Sequence, residues 1–195
     1  MSLLITAFVM LLVSIPYASV GEWILHRHVM HAPVGKFTYP YKAHALTHHR
    51  IFGWGESYHL VHDEDKHKIR MAWWNGPVIV VLGAIPLDIV ASLLGFYGWQ
   101  SEGWIVCIVP HAVFLSYYIA YEFLHWCMHL PKKRRLELSR FFRYLNGHHL
   151  LHHRYWMKNL NVVIPIADRL FGTLLLRSPI RFAQAGSPVP NVQPL

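Results

Sequence analysis

Residues 104 to 129 read WIVCIVPHAVFLSYYIAYEFLHWCMH, a stretch that joins an apolar segment to a pair of histidines. Trp104 to Tyr121 carries no charged residue and approaches the ~20 residues that a helix needs to cross a bilayer. His125 and His129 follow at a spacing of four, so both side chains lie on one helix face. The stretch predicts a transmembrane helix that presents two imidazoles at its end.

Two further apolar stretches predict two more membrane-spanning helices. Met1 to Val20 carries no charge, and Trp73 to Trp99 carries only Asp88. Hydrophobic residues make up 54% of the chain and charged residues 14%, which is too apolar for a soluble globular protein. The first stretch lacks the basic n-region of a signal peptide, so we interpret it as a retained anchor. With no linker or repeat, the 195 residues predict one all-α membrane domain over residues 1–195.

The basic residues predict an orientation. Lysine and arginine accumulate between the first two stretches and after the third, whereas the connection 100–103 carries only Glu102. Because these residues favour cytosolic loops, three crossings place the N-terminus outside and both basic regions and the C-terminus in the cytosol. Topology and contact with anionic lipid then account for the net charge of +8, so nucleic acid is not expected as a partner.

The 16 histidines fall in tight groups, and all of these groups lie on the predicted cytosolic side. Grouped imidazoles with only 2 cysteines indicate a transition-metal site with more than one ion. We therefore predict a cytosolic helical cap that carries a histidine-rich di-metal site. The groups are His26/His28/His31, His44/His48/His49, His59/His62, His125/His129 and His148/His149/His152/His153.

Spacing refines the first two groups. His26 and His31 are five residues apart and do not align on a regular helix, so their convergence requires the first helix to fray at its end. In the second group, His44 and His48 share a helix face, whereas His49 turns away. One histidine of the second group is therefore a candidate to bind a second metal ion or to hydrogen-bond to a ligand without binding metal itself. In the first group, His28 lies three residues before His31 and is the competing candidate ligand.

The last group is the densest. His149, His152 and His153 can point together on one helix face, while His148 is predicted to face away. His67 is interpreted as a surface residue. No H-E-x-x-H motif supports a zinc hydrolase, and histidines that flank the spans disfavour a haem-binding electron carrier.

Four of these segments resemble the histidine boxes of the membrane fatty acid hydroxylase, sterol desaturase and carotene hydroxylase superfamily. They are His26-Arg-His-Val-Met-His31, His44-Ala-Leu-Thr-His48-His49, His125-Trp-Cys-Met-His129 and His149-Leu-Leu-His152-His153. Glu22-Trp-Ile-Leu-His26-Arg also resembles the opening box of fatty acid 2-hydroxylases, and Asp168-Arg-Leu-Phe-Gly-Thr173 resembles the closing segment of the family. The likeness spans residues 22–173. Two features differ: the second box of the family usually reads H-x-x-H-H, and larger relatives have four spans.

The resemblance implies two iron ions that activate dioxygen and attack a C–H bond of a lipid. It predicts a di-iron monooxygenase that hydroxylates a fatty acyl or sterol-like substrate, with a carotenoid hydroxylase or lipid desaturase as close variants. A non-catalytic metal-binding membrane protein is the alternative from another class. With no room for a fused cytochrome b5-like domain, electrons are expected from a separate ferredoxin or cytochrome b5-like protein. Zinc is the expected substitute for iron in a purified sample.

The metal ligands that the resemblance implies are His26, His31, His44, His48, His49, His125, His129, His149, His152 and His153. Glu122 has the E-x-x-H spacing of soluble di-iron bundles, but those bundles use two such motifs. We therefore expect Glu122 to accept a hydrogen bond from an imidazole N–H, and we expect the same of Glu22 and Asp168. His59 and His62 are further candidates for an outer role.

Other residues receive simpler interpretations. The run Lys132-Lys-Arg-Arg135 predicts contact with lipid headgroups and is also a candidate docking surface for an acidic electron donor. Cys107 and Cys127 are interpreted as small apolar residues, without a disulfide or zinc site. His111 lies inside the third span, where we expect a hydrogen bond between helices or a polar group in a substrate cavity.

Overall fold

The computed structural model describes residues 3–95 and 103–176, and its regular elements are helical. In chain order they are α1 (Leu3–Leu25), a π turn (His26–Met30), α2 (Tyr39–Ala43), a second π turn (His44–His48), α3 (His49–Ile51), 3₁₀ turns (Gly55–Tyr58 and Asp63–Lys68), α4 (Asn75–Leu93), α5 (Gly103–His129), α6 (Arg140–Arg154) and α7 (Ile166–Leu170). Within the described residues, extended pairing is confined to one bridge between Val34 and Phe37. The all-α prediction is confirmed for this part of the chain.

Three segments are long and apolar enough to cross a membrane. They are Leu3–Met30, Asn75–Leu93 and Trp104–His129, with mean hydropathies of 2.2, 2.1 and 1.6. In the most apolar 18-residue stretch of each segment, between 17% and 28% is buried, so most of these side chains face outward. Such a surface suits lipid and not water. The predicted spans are confirmed at this level; residues 96–99 of the second span and residues 100–102 of the connection lie outside the described residues, as do residues 1–2 and 177–195.

Helix α5 is the centre of the bundle, with α1 and α4 packed against it. A Cβ on Gly76 would lie 2.5 Å from a ring carbon of Tyr118, and one on Gly83 would lie 2.5 Å from a ring carbon of Phe114. Glycine therefore permits close packing of the α4 backbone on the aromatic rings of α5. The order of these contacts shows that α4 runs antiparallel to α5.

The C-terminal ends of α1 and α5 meet at one end of the bundle, where the shorter helices form a cap. Ser139 caps the N-terminus of α6, where its hydroxyl accepts a hydrogen bond from the backbone N–H of Phe142 at 3.1 Å. Its buried face includes Phe142 and Leu145, which join Met128 of α5 in an apolar cluster. This packing fixes α6 across the end of α5.

Candidate metal centre

Ten histidines converge where the cap meets the bundle, and they form two adjacent groups of five. Group A comprises His26, His31, His44, His49 and His152, and group B comprises His48, His125, His129, His149 and His153. Within each group the potential ligand nitrogens lie within 4.8 Å of one another. The rings of His49 and His153, one from each group, stack with centroids 4.3 Å apart. The structure thus brings together the ten histidines that the sequence singles out as ligands, in groups that could each hold a metal ion.

The first π turn explains how His26 and His31 meet. The backbone N–H of His31 donates to the carbonyl of His26 at 3.1 Å, a hydrogen bond that spans five residues. This winding places residues five apart on one face, which an α-helix does not do. The helix therefore widens at its end, where the sequence predicted fraying. His28 lies in neither group, and its ring contacts Trp23.

The second π turn corrects the expected pairing in the next segment. The backbone N–H of His49 donates to the carbonyl of His44, again across five residues. His44 and His49 therefore join group A, whereas His48 joins group B. The spacing rule for an α-helix predicted His44 with His48, and it fails because the segment is not α-helical. One histidine of this segment does lie with the second group, as the sequence allowed.

Helices α5 and α6 supply the other five of the ten histidines. His125 and His129 lie together in group B, as their spacing of four predicts. His149 and His153 of α6 are also four apart and join the same group, but His152 belongs to group A. The expected common direction of all three α6 histidines is thus corrected, because α6 lies along the boundary between the groups.

Backbone carbonyls orient half of these rings. Nδ1 contacts a carbonyl oxygen in five cases: His26 with Leu160, His48 with Lys68 at 3.2 Å, His129 with Tyr58 at 2.7 Å, His152 with Lys158 at 2.9 Å and His153 with Phe52. A carbonyl oxygen only accepts, so Nδ1 donates and the neutral ring keeps a lone pair on Nε2. In all five histidines this lone pair points into the groups.

In group B these lone pairs converge. Nε2 of His129 and Nε2 of His153 lie 3.2 and 3.0 Å from Nε2 of His149. A single proton on His149 cannot satisfy both contacts, and its Nδ1 is buried without a hydrogen-bond partner among the described residues. A cation bound by the three nitrogens satisfies all of them.

Group A has the same arrangement. Nε2 of His152 lies 3.2 Å from that of His31 and 3.1 Å from that of His49. Nε2 of His44 lies 2.8 Å from that of His26 and 3.0 Å from that of His49. The donor set of each group is all imidazole, which suits iron, zinc, copper and nickel, so the groups fit transition-metal ions.

Burial keeps these imidazoles neutral. It lowers the pKa of His31 to about 2, that of His48 to about 3 and that of His152 to about 4. Burial, reinforced by neighbouring imidazoles, also lowers the pKa well below its usual range for His44, His49, His149 and His153. Near pH 7 these rings are unprotonated, which is the form that binds metal.

Asp168 lies outside both groups and contacts the loop next to them. Its carboxylate accepts hydrogen bonds from the backbone N–H groups of Leu160 and Asn161, both at 2.8 Å, and from the Thr173 hydroxyl at 2.6 Å. Its imidazole contact is to His148, which lies outside both groups, at 3.1 Å. Burial raises the pKa of Asp168, but these hydrogen bonds more than compensate and hold it below its usual value. Asp168 therefore fixes the loop whose Leu160 carbonyl orients a ligand ring.

Glu22 also contacts the loop that contains Leu160 and Asn161. The sequence predicted a hydrogen bond from a ligand imidazole to Glu22, and the structure shows contacts with this loop instead. Its carboxylate accepts from the backbone N–H of Val162 at 2.6 Å, the Asn161 amide at 2.9 Å and the Tyr117 hydroxyl at 2.7 Å. Glu122 belongs to neither group. Glu22 thus ties α1 and α5 to the loop that closes the centre.

The remaining outer candidates are exposed. His59 and His62 lie on the surface in neither group, and so does His67. The ring of His59 packs against Tyr58, whose carbonyl orients His129. His148 is buried and points away from both groups, as its position predicts.

An apolar cavity of about 340 Å³ leads to the centre. It lies between α1 and α4, which both pack on α5, and it runs from Phe114 and Gly83 in the middle of the bundle to His26 and Met30 at the histidine-bearing end. His26 belongs to group A, so the cavity and the centre share a wall.

No family model matches this chain, and neither a curated protein nor a solved structure matches it. The resemblance to the hydroxylase superfamily therefore stays a prediction from the histidine segments.

Proposed function

We propose that this chain is a membrane oxidoreductase that uses iron and dioxygen to hydroxylate a C–H bond of a lipid. The observation that carries the proposal is the apolar cavity that ends on His26, at the edge of ten converging histidines. A metal centre at the end of an apolar cavity is the arrangement that oxidation of a hydrocarbon requires, because the substrate and the site must both be kept from water.

The metal part of the proposal rests on the donor atoms. Groups A and B would each hold one iron ion through neutral imidazole nitrogens. When bound, the two ions would supply reductive activation of dioxygen, with two electrons drawn from an external donor. The protein contributes ring orientation through carbonyl groups such as that of Leu160, and it contributes burial that excludes water. Zinc in the same ligands would give a filled but inactive site.

The substrate part rests on the cavity lining. Side chains such as Ile79, Leu82 and Phe114 offer surface to a hydrocarbon. Tyr121 also lines the cavity, and its ring stacks on His125 at a centroid distance of 5.6 Å. Its hydroxyl is buried without a hydrogen-bond partner among the described residues, which suits a substrate with an oxygen near the attacked carbon. A fatty acyl or sterol-like lipid fits this cavity better than a pure hydrocarbon.

Exposed positive charge near the end of α5 supports an acidic electron donor as the partner and a cytosolic location for this end of the bundle. Lys132, Lys133 and Arg135 are exposed next to the end of α5, whereas Arg134 is paired with Glu137. In our proposal this end of the bundle faces the cytosol, and the exposed cations receive an acidic donor such as a ferredoxin or a cytochrome b5-like protein. Contact with anionic headgroups uses the same side chains.

The test combines lipid profiling with oxygen uptake. Cells supplied with iron would express the wild-type chain, His152→Ala, or the control His67→Ala, which alters an exposed histidine outside both groups. We expect a new hydroxylated lipid with wild type and with His67→Ala, and none with His152→Ala despite normal membrane insertion. An unsaturated product would identify the desaturase variant of the same chemistry.

The alternative is a protein that binds metal without catalysis. Iron-loaded wild type that takes up no oxygen with membrane lipid and a chemical reductant would contradict the enzyme and favour that alternative. Equal loss of product in both variants would show that the separation of the centre from the surface histidines is wrong.

A further inference from the structure

A second cluster of ligand-type side chains lies far from the histidine centre. Asp88 of α4 and Cys107 and His111 of α5 offer an oxygen, a sulfur and a nitrogen within 4.8 Å of one another. On α5, His111 precedes His125 by 14 residues, which is about 21 Å of helix. This cluster, which we call the Asp–Cys–His cluster, is therefore a separate place in the bundle, at the end opposite the cap.

The orientation of His111 is fixed by its own helix. Its Nδ1 donates to the carbonyl of Cys107 at 2.9 Å, which leaves Nε2 as the ring nitrogen that can face a ligand. This Nε2 lies 3.7 Å from Oδ2 of Asp88 on the neighbouring helix. A ring nitrogen thus faces a carboxylate oxygen on the next helix, and a cation between them would contact both.

The distance between the two side chains is longer than a hydrogen bond and close to the separation of two ligands on one ion. A hydrogen bond between nitrogen and oxygen spans roughly 2.7–3.2 Å, so the 3.7 Å between Nε2 and Oδ2 is too long for one. A nitrogen ligand at ~2.0–2.1 Å and an oxygen ligand at ~2.0–2.2 Å from a tetrahedral zinc ion lie roughly 3.3–3.5 Å apart. The observed 3.7 Å between Nε2 of His111 and Oδ2 of Asp88 is a few tenths of an ångström longer, so a small rotation of either side chain would bring both atoms to one ion.

Asp88 supplies an independent observation. Its Oδ1 is buried and has no hydrogen-bond partner among the described residues. An ionisable side chain inside a membrane helix is costly unless it is paired, and it marks a functional position by default. A bound cation would satisfy this carboxylate, and the partial exposure of both side chains, 19% for Asp88 and 35% for His111, leaves room for a further ligand.

We propose that Asp88, Cys107 and His111 bind one divalent ion of the zinc class, which clamps α4 to α5. A set of one oxygen, one sulfur and one nitrogen excludes magnesium and calcium, which prefer oxygen alone, and suits zinc. Binding replaces the thiol proton of Cys107, which leaves to solvent, with a metal–sulfur bond. The proposal reverses the interpretation of Cys107 as a residue without a zinc site, and it differs from both roles expected of His111, a hydrogen bond between helices or a polar group in a substrate cavity. It does not depend on the activity of the histidine centre.

The ligand chemistry gives a selective probe. The full chain, purified in detergent and stripped with a chelator, would be titrated with Co²⁺. The ten histidines of groups A and B contribute no sulfur, so a cobalt–thiolate charge-transfer band in the near ultraviolet reports the Asp–Cys–His cluster alone. We expect this band in wild type, and we expect Cys107→Ser to abolish it while cobalt still binds at the histidines.

Cys127→Ser is the matched control. Cys127 lies on the same helix at the histidine-bearing end, where its sulfur accepts from the Arg134 guanidinium at 3.2 Å, and it belongs to no metal group among the described residues. The band should survive this change. Asp88→Asn and His111→Gln should each weaken Co²⁺ binding at this cluster by more than about 10-fold, which is the lower end of the loss seen when only an outer partner is removed.

Two results would overturn the proposal. Cobalt bound by wild type without a thiolate band would show that Asp88 and His111 form only a contact between helices, and this measurement needs no variant to fold. A band that persists in Cys107→Ser would place the sulfur ligand elsewhere.

Discussion

Single side chains at the centre are held by partners that are themselves held. The His26 ring donates to the carbonyl of Leu160, and the backbone N–H of Leu160 donates to Asp168. A buried acceptor that serves several donors is expensive to alter, because each donor that loses it stays desolvated. At the residue scale, the candidate metal centre therefore depends on a carboxylate that touches none of the ten histidines.

We predict that Asp168→Asn destabilises the cap and loosens the metal. The new amide N–H₂ would face N–H donors, so we expect a loss of about 1–3 kcal/mol in the free energy of unfolding and a ~10–100-fold loss of metal affinity. Thermal unfolding and metal titration of the purified protein measure both. Asp63→Asn, at an exposed aspartate outside the centre, is the control. Unchanged metal affinity in Asp168→Asn would refute the positioning role.

Substitution of a candidate ligand histidine and of the buried His148 beside it should have different effects on metal content. His149→Ala removes the nitrogen on which His129 and His153 converge, so we expect loss of the group B ion with the group A ion retained. His148→Ala removes the partner of Asp168 and should lower stability without removing an ion directly. Metal counts on both variants test the division, and a complete loss of metal in His148→Ala would argue against it.

At the scale of elements, the two π turns set the arrangement of the ligands. Each aligns histidines that are five residues apart, His26 with His31 and His44 with His49. The long helices were predictable from the sequence, because length and apolarity are local properties, and so was the pairing of His125 with His129.

Other features were out of reach of the sequence. A π turn inserts one residue into a helix and leaves no mark in composition, so the split of His48 from His49 was missed. Every residue carries a carbonyl group, so the acceptors at Leu160 and Tyr58 could not be identified before the loops were placed. The sequence predicted carboxylates in that role because their chemistry is visible in the side chain.

Packing between helices gives a prediction with an internal control. Gly83→Ala would place a Cβ against the Phe114 ring, so we expect α4 and α5 to separate at a cost of about 1–3 kcal/mol. Gly147 lies in α6 with open space around its Cα, and Gly147→Ala should leave stability unchanged or raise it by about 0.4–1 kcal/mol. Thermal unfolding of both variants measures these changes in stability. Equal effects would mean that the α4–α5 contact is not tight.

At the scale of the whole molecule, the cavity connects the bundle to the metal centre. Leu82, which is 62% exposed, lies at the open side of this cavity, whereas the adjacent Val81, 52% exposed, does not line it. Leu82→Trp should fill part of the cavity and shift the products toward shorter or less bulky lipids with unchanged metal content, whereas Val81→Trp should leave the product profile as in wild type. Lipid profiles that change equally in the two variants would show that the cavity does not hold the substrate.

We expect ten histidines from four segments of the chain to hold two iron ions, and the iron content per chain measures this. The protein would be purified without oxygen from iron-supplied cells as the Cys107→Ser variant, so that the Asp–Cys–His cluster adds no metal, and iron would be measured against protein concentration. The expected result is close to two irons per chain, falling to one in His149→Ala. A chain that is folded and inserted but retains no iron, or that binds a single haem, would contradict it.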